Sequence, residues 1–275
     1  MNDQDIVSEL TYRKHPLHDW DTGELESEIN KFKSALSNSP FKIVIGLCIY
    51  NEEQFIRETL DNLKKIKDID AIHILDGAWA GGGDKIMSTD DTHKIIVKWI
   101  FKNNFMVTFE RSTTGIFKSE GAKRNYQLQR IHELYGDSYV FCHDGDEELK
   151  FNCGKDQVFL KEICSVMWPR TVIMKSYAYN GLNSSIGARM IPTGQGIHYH
   201  TNKPMIVHDL DHNIICDYNF DKPPIVSDKD TIRLGSMFFV NKWNIRNRKR
   251  AYEKDSYVEE VFSNNGDKKC EYKAL

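Results

Sequence analysis

The chain has 275 residues, 40% of them hydrophobic, with 37 Lys and Arg against 40 Asp and Glu, and its formal net charge is −3. That length and apolar content suffice for one sizeable domain or two small ones, while the near-neutral balance supplies no overall field to draw nucleic acid. The six cysteines form no CxxC pair, no run approaches the roughly 20 apolar residues of a membrane-spanning helix, and the N-terminus lacks a signal core; the expectation is a cytoplasmic protein that meets a membrane only peripherally, if at all.

Residues 1–40 are polar, with an amphipathic segment near Leu25 to Leu36 that reads as a helical extension packing on the domain edge or on a second subunit of a homo-oligomer. Ile43 to Ile49 is apolar on both faces, as a central parallel strand is, and Asn51, Glu52 and Glu53 then read as a helix start whose buried stripe is Phe55, Ile56, Leu60, Leu63 and Ile66. A second strand, Ala71 to Leu75, ends at Asp76. A helix near His93 to Lys102 follows the capping-type Thr89-Asp90-Asp91, a third strand covers about Phe105 to Phe109, and a helix runs from about Ser119 to Tyr135. A last strand runs into Asp144. Repeated β-α-β units of this kind predict a doubly wound, mostly parallel α/β sheet with its ligand site at the carboxyl ends of the strands, where Asn51, Asp76 and Asp144 all fall. Residues 41–150 then form the half of the domain that carries these strand ends, and 151–240 form a second half. Residues 241–275 form a helical extension containing the basic run Arg246-Asn247-Arg248-Lys249-Arg250, either a solvated helix face or a contact for an acidic acceptor or anionic membrane.

Val140 to Asp144 is an apolar strand leading directly into Asp144-Gly145-Asp146-Glu147. Carboxylates at i and i+2 of an extended segment project to the same side, and the glycine permits a bend. Such an all-oxygen pair suits Mg²⁺ or Mn²⁺, which keep positions open for substrate phosphates when one or two carboxylates hold them. The same residue types also make ordinary solvated turns.

Taken together, Ile45-Gly46-Leu47-Cys48-Ile49-Tyr50-Asn51-Glu52-Glu53, Asp76-Gly77, Ser88-Thr89-Asp90-Asp91-Thr92, Gly121-Ala122-Lys123-Arg124-Asn125 and Asp144-Gly145-Asp146-Glu147 stand in an order that resembles family-two glycosyltransferases of the GT-A fold, over about Lys42 to Asp209. The branch most resembled is that of surface-polysaccharide and lipopolysaccharide-core enzymes with an Asp-Ala-Asp-Glu metal motif, in which an arginine and a His-Glu pair follow downstream. Arg189 and Val207-His208-Asp209 resemble that arrangement, with aspartate in place of glutamate. The resemblance implies donor contacts from Tyr50, Asn51, Glu53, Asp76, Lys123, Arg124, Asp144 and Arg189. It also implies a metal site of Asp144 and Asp146, with His208 as an added ligand or diphosphate contact, and Asp209 as general base. Each residue has a plainer reading: Asp76 as a helix cap, Lys123 and Arg124 as solvated helix charges, His208 as a core histidine, and Asp209 as a partner for His208 or an arginine.

One departure from the family pattern is an insertion, Ala78 to Met87, between Gly77 and Ser88. Its Gly81-Gly82-Gly83 and an apparently exposed Trp79 predict a mobile flap over the donor, and it lacks the Gly-x4-Gly-Lys-Ser/Thr spacing of a phosphate loop. The rival signal is His198, His200, His208 and His212, four histidines that read as a zinc site, although no HExxH or CxxC accompanies them and the aspartate pair is all oxygen. The expected activity is metal-dependent, inverting transfer of a hexose from a nucleotide-diphosphate sugar to a glycan or glycolipid hydroxyl, with Mn²⁺ or Mg²⁺, as in polysaccharide biosynthesis. The alternatives are a nucleotidyltransferase, a nucleotide-sugar hydrolase, or a catalytically silent carbohydrate-binding module.

Overall fold

The computed structural model describes residues 41–113, 115–151, 160–161, 171–178, 184–200, 207–208, 214–216 and 231–241. The expected N- and C-terminal extensions, with Leu25 to Leu36 and the basic run, lie outside these residues.

Strand β1 (Lys42–Ile49), helix α1 (Ile56–Leu63), strand β2 (Ala71–Asp76), helix α2 (Thr92–Lys102), strand β3 (Val107–Arg111), helix α3 (Glu120–Tyr135) and strand β4 (Ser138–Asp144) follow in chain order. They build the expected doubly wound α/β arrangement, with β1 to β4 all parallel in the order β3-β2-β1-β4. Because β1 and β2 are buried on both faces, each face carries its own core. Ile43, Ile45, Leu47, Ile72, Ile74 and Phe141 pack with α1 and α2, whereas Val44, Val140 and Cys142 pack against Leu128 and Ile131 of α3.

Two boundaries differ from the sequence reading. Helix α1 begins at Ile56 rather than near Asn51, and its first residue follows Phe55, which supplies no side-chain cap. Strand β3 begins at Val107, two residues late, because Phe105 instead stacks on Trp99 with ring centroids 5.7 Å apart.

Beyond β4 the sheet becomes mixed. Strands β5 (Glu147–Phe151), β6 (Thr171–Ala178), β7 (Ser184–Pro192) and β11 (Thr231–Asn241) extend it in the order β4-β7-β6-β11-β5, with β7 antiparallel to both neighbours and β5 antiparallel to β11. The short strands β8 (His198–Tyr199), β9 (Val207–His208) and β10 (Ile214–Cys216) make a separate three-stranded sheet. Only Gly145 and Asp146 connect β4 to β5, yet three strands lie between them in the sheet. Three Cα steps reach about 11 Å at most. The second half of the sheet therefore rolls round until its far edge returns to the end of β4.

Candidate active site

Strand order reverses at β1: β2 and β3 lie on one side and β4 on the other. In open α/β sheets this is where a crevice forms beyond the carboxyl ends of the strands, and the chain places a network of polar side chains there.

The loop leaving β1 is tied side by side to residues 88–92 by reciprocal bonds. The amides of Asn51, Glu52 and Glu53 donate to Ser88 Oγ at 2.8 Å, Thr92 Oγ1 at 2.7 Å and Asp90 Oδ2 at 3.1 Å. In return Thr89 N donates to Asn51 Oδ1 at 2.9 Å and Asp91 N to Glu53 Oε2 at 3.0 Å. Asn51 adopts φ 52°, a left-handed conformation that asparagine tolerates better than other non-glycine residues. These bonds, rather than a helix start, are what the Asn-Glu-Glu string supplies.

Asp76 is fully buried at the tip of β2, where its carboxylate accepts from Ser88 N at 3.0 Å, Ser88 Oγ at 2.6 Å and Arg111 Nε at 3.0 Å. Arg111 also donates to Ser88 O at 3.1 Å. Sequence reading missed Arg111 because it ended the third strand at Phe109; carried two residues further, the strand puts a cation beside Asp76.

In the insertion between Gly77 and Ser88, Ala78, Trp79 and Gly82 are buried while Ala80, Gly81 and Asp84 to Ile86 stay exposed, which corrects the reading of Trp79 as exposed. Trp79 is buried in a bridge to Phe117, and together with Tyr50 and Ala78 it forms a small apolar cluster. The glycines are there because the backbone runs flat over aromatic rings: a Cβ on Gly82 would lie 2.3 Å from Trp79 Cε2, and one on Gly83 would lie 2.2 Å from Tyr50 Cε1. Beneath the cluster Lys123, wholly buried, donates from Nζ to Ile49 O at 2.8 Å and lies 5.1 Å from the centre of the Trp79 ring. Burial pushes its pKa down.

At the β4–β5 connection, Gly145 and Asp146 form a turn rather than continuing the strand, so the two aspartates do not project from one extended face. Asp146 is fully buried and Asp144 partly so. Asp144 Oδ1 accepts from Arg124 Nη2 at 2.7 Å, and Glu120 accepts from the same guanidinium at 2.8 Å. Burial opposes the Arg124 charge, but Asp144 and Glu120 outweigh it and move its pKa well above the ordinary arginine value. Glu147 takes a two-pronged contact from Arg189, at 2.8 and 2.6 Å, and its Oε2 also accepts from Asp144 N at 3.0 Å. From below, two polar residues of α1 hold the turn. Thr59 Oγ1 donates to Gly145 O at 2.8 Å, while Asn62 accepts from Leu149 N at 2.6 Å and donates to Leu149 O at 3.2 Å. Gly145 packs on Glu52, whose Cγ would stand 2.6 Å from an added Cβ.

The donor set fits a hard divalent cation in kind. Asp144, Asp146, Glu120 and Glu147 bring four formal negative charges against two from Arg124 and Arg189, and the two aspartates offer only oxygen. Among the described residues no group of three His, Cys, Asp or Glu side chains is assembled for a metal. Of the four histidines, His198 and His208 are register partners across β8 and β9, His198 Nδ1 pairs with Gly196 O at 3.0 Å, and His212 lies outside the described residues. The backbone of His208 is described in β9; Asp209 lies outside the described residues.

No protein-family model matches the chain, and no curated protein matches it. Solved structures do show likeness. TarS 1–349 of S. aureus, in complex with UDP-GlcNAc, is 14% identical over 85% of this chain and 68% of that one, with a TM-score of 0.45. A second S. aureus TarS structure is 22% identical over 51% of this chain, with a TM-score of 0.38. The glucosyl-3-phosphoglycerate synthase of Mycobacterium tuberculosis, in complex with Mn²⁺, UDP-glucose and phosphoglyceric acid, is 17% identical over 61% of this chain, with a TM-score of 0.34. The chain covers 22% of that second TarS chain and 51% of the synthase chain.

Proposed function

We propose that this chain is a GT-A glycosyltransferase that takes a sugar from a nucleotide diphosphate to a hydroxyl acceptor, with the donor lying across the carboxyl ends of β1, β2 and β4. The observation that carries this reading is the reversal of strand order at β1, with Asn51, Asp76, Arg111 and Asp144 at the ends of adjoining strands. A buried carboxylate beside a guanidinium, as in Asp76 and Arg111, is suited to recognising the donor and acceptor groups of a base or ribose. Tyr50 and Trp79 give that end an apolar wall.

At the other end of the crevice the work falls to Asp144, Asp146, Arg124 and Arg189. Arg124 and Arg189 are oriented by Asp144 and Glu147, so their charge is aimed before any ligand arrives, and the ordering cost of binding a diphosphate falls accordingly. Asp144 and Asp146 would hold Mn²⁺ or Mg²⁺, which when bound supplies charge stabilisation to the departing diphosphate. Lys123 adds positive charge beneath the loop. In this reading His208 contacts the diphosphate or the metal, and Asp209 accepts the acceptor's proton in a single displacement that inverts the anomeric carbon.

The test is binding and turnover with a panel of nucleotide sugars and Mn²⁺. Asp146→Asn keeps volume and removes charge, so nucleoside-diphosphate affinity is expected to lose its Mn²⁺ dependence while the circular dichroism stays that of the wild type. Unchanged metal dependence in Asp146→Asn, or products consisting of pyrophosphate and a new nucleotide sugar, would overturn the proposal.

A further inference from the structure

We infer that the outer face of α2, together with the bend into β3, docks on an anionic lipid surface. In a chain of net charge −3, the stretch from Thr92 to Phe109 contains Lys94, Lys98 and Lys102 and no acidic residue. Helix α2 buries Thr92, Ile96 and Trp99 against the sheet. Its opposite face, at the i, i+4 and i+7 positions of a helical repeat, presents Lys94, Lys98 and Phe101, with Lys102 next to them, all exposed. Phe101 is 88% exposed, and Met106, just past the end of the helix, is 64% exposed; they are the two most exposed large apolar side chains among the described residues.

Lys94 pairs with Asp91 at 2.7 Å, but Lys98 and Lys102 enter no ion pair among the described residues. At the adjoining end of α1, Lys64 lies 5.5 Å from the centre of the Trp99 ring and pairs with Asp61 at 2.7 Å. Phe101 stands out from the surface, and a phenyl ring flanked by lysines matches the boundary between headgroups and acyl chains. The lysines would meet anionic headgroups while Phe101 and Met106 enter the apolar layer. This corner sits at the amino ends of β2 and β3, opposite Asp76 and Arg111, so docking there leaves the crevice unobstructed.

The full-length protein would be sedimented with vesicles of phosphatidylcholine alone and of phosphatidylcholine mixed with phosphatidylglycerol. Binding is expected only to the mixed vesicles. Lys98→Gln with Lys102→Gln should weaken it on the order of thirtyfold, about fivefold for each lysine. Phe101→Ser with Met106→Ser should weaken it at least about tenfold through lost apolar burial. None of these side chains is buried, so both variants should unfold at the wild-type midpoint. Equal binding to the two vesicle types, or wild-type-like binding by both variants, overturns the inference. So does loss of binding on neutralising Arg246 to Arg250 while the α2 variants still bind, or no vesicle binding with dimerisation through Phe101 instead. No arm of the experiment depends on turnover, so its failure is distinct from failure of the glycosyltransferase reading.

Discussion

Asn62 offers the sharpest test of how the β4–β5 turn is held. Leu149 lies on β5 opposite Phe239 of β11, but both its amide and its carbonyl bond to the Asn62 side chain, on the side away from β11. Asn62 thus stands in for a missing neighbouring strand, and Leu149 itself is fully buried. In Asn62→Ala a buried N–H and a buried C=O both lose their partners. At about 1–3 kcal/mol for each of the two orphaned groups, the expected destabilisation is about 2–6 kcal/mol. Urea unfolding should show a lower midpoint at an unchanged slope, and the Leu149 amide should exchange faster than its neighbours in β5. Arg57→Ala, on the exposed side of the same helix, is the control and should fall within about 0.5 kcal/mol of wild type. If Asn62→Ala unfolds like Arg57→Ala and leaves Leu149 protection unchanged, Asn62 does not support the turn.

Two further outcomes follow from the site. Gly82→Ala would drive a methyl group into the Trp79 indole, costing about 1–3 kcal/mol of overpacking, and limited proteolysis between Ala78 and Met87 should accelerate; an unchanged cleavage rate would count against the packing of Gly82 on Trp79. Under the proposed reaction Asp209→Asn should lower turnover about 10²- to 10⁴-fold with donor affinity kept within a few fold, whereas His208→Ala should weaken metal-dependent donor binding; near-normal turnover of Asp209→Asn at saturating acceptor would remove it as the base.

What could be read in the sequence was whatever depends on local pattern. Ile43 to Ile49 is apolar or glycine throughout and Val140 to Cys142 is apolar, as doubly covered strands require, and their alternation with helical segments points to a parallel sheet. Ser119 caps α3 as its type suggests, accepting from Ala122 N at 3.1 Å. The differences arise where distant groups override local preference. Asn51 to Glu53 resemble a helix start, but their amides are taken by Ser88, Asp90 and Thr92, so α1 waits until Ile56. Trp79 among glycines looks exposed until Phe117, Tyr50 and Lys123 close over it from other parts of the chain. The aspartate pair was visible as a motif, but its geometry was not: the turn at Gly145 and the arginines that aim Asp144 and Glu147 are products of the tertiary fold. Arg111 escaped notice because a half-exposed edge strand such as β3 tolerates the polar Glu110 and Arg111 at its end.

The two-residue link from β4 to β5 also bears on how freely this protein can be taken apart. A chimera that joins residues 41–144 to another protein's second half would have to bring a strand back to Thr59 and Asn62 of α1 directly after β4, because those side chains bind the turn and Leu149. A circular permutant opened between Gly145 and Asp146 faces the same difficulty. One opened at the exposed tip near Asp84 would keep both halves stapled, so the molecule is modular at its loops but not at its midpoint.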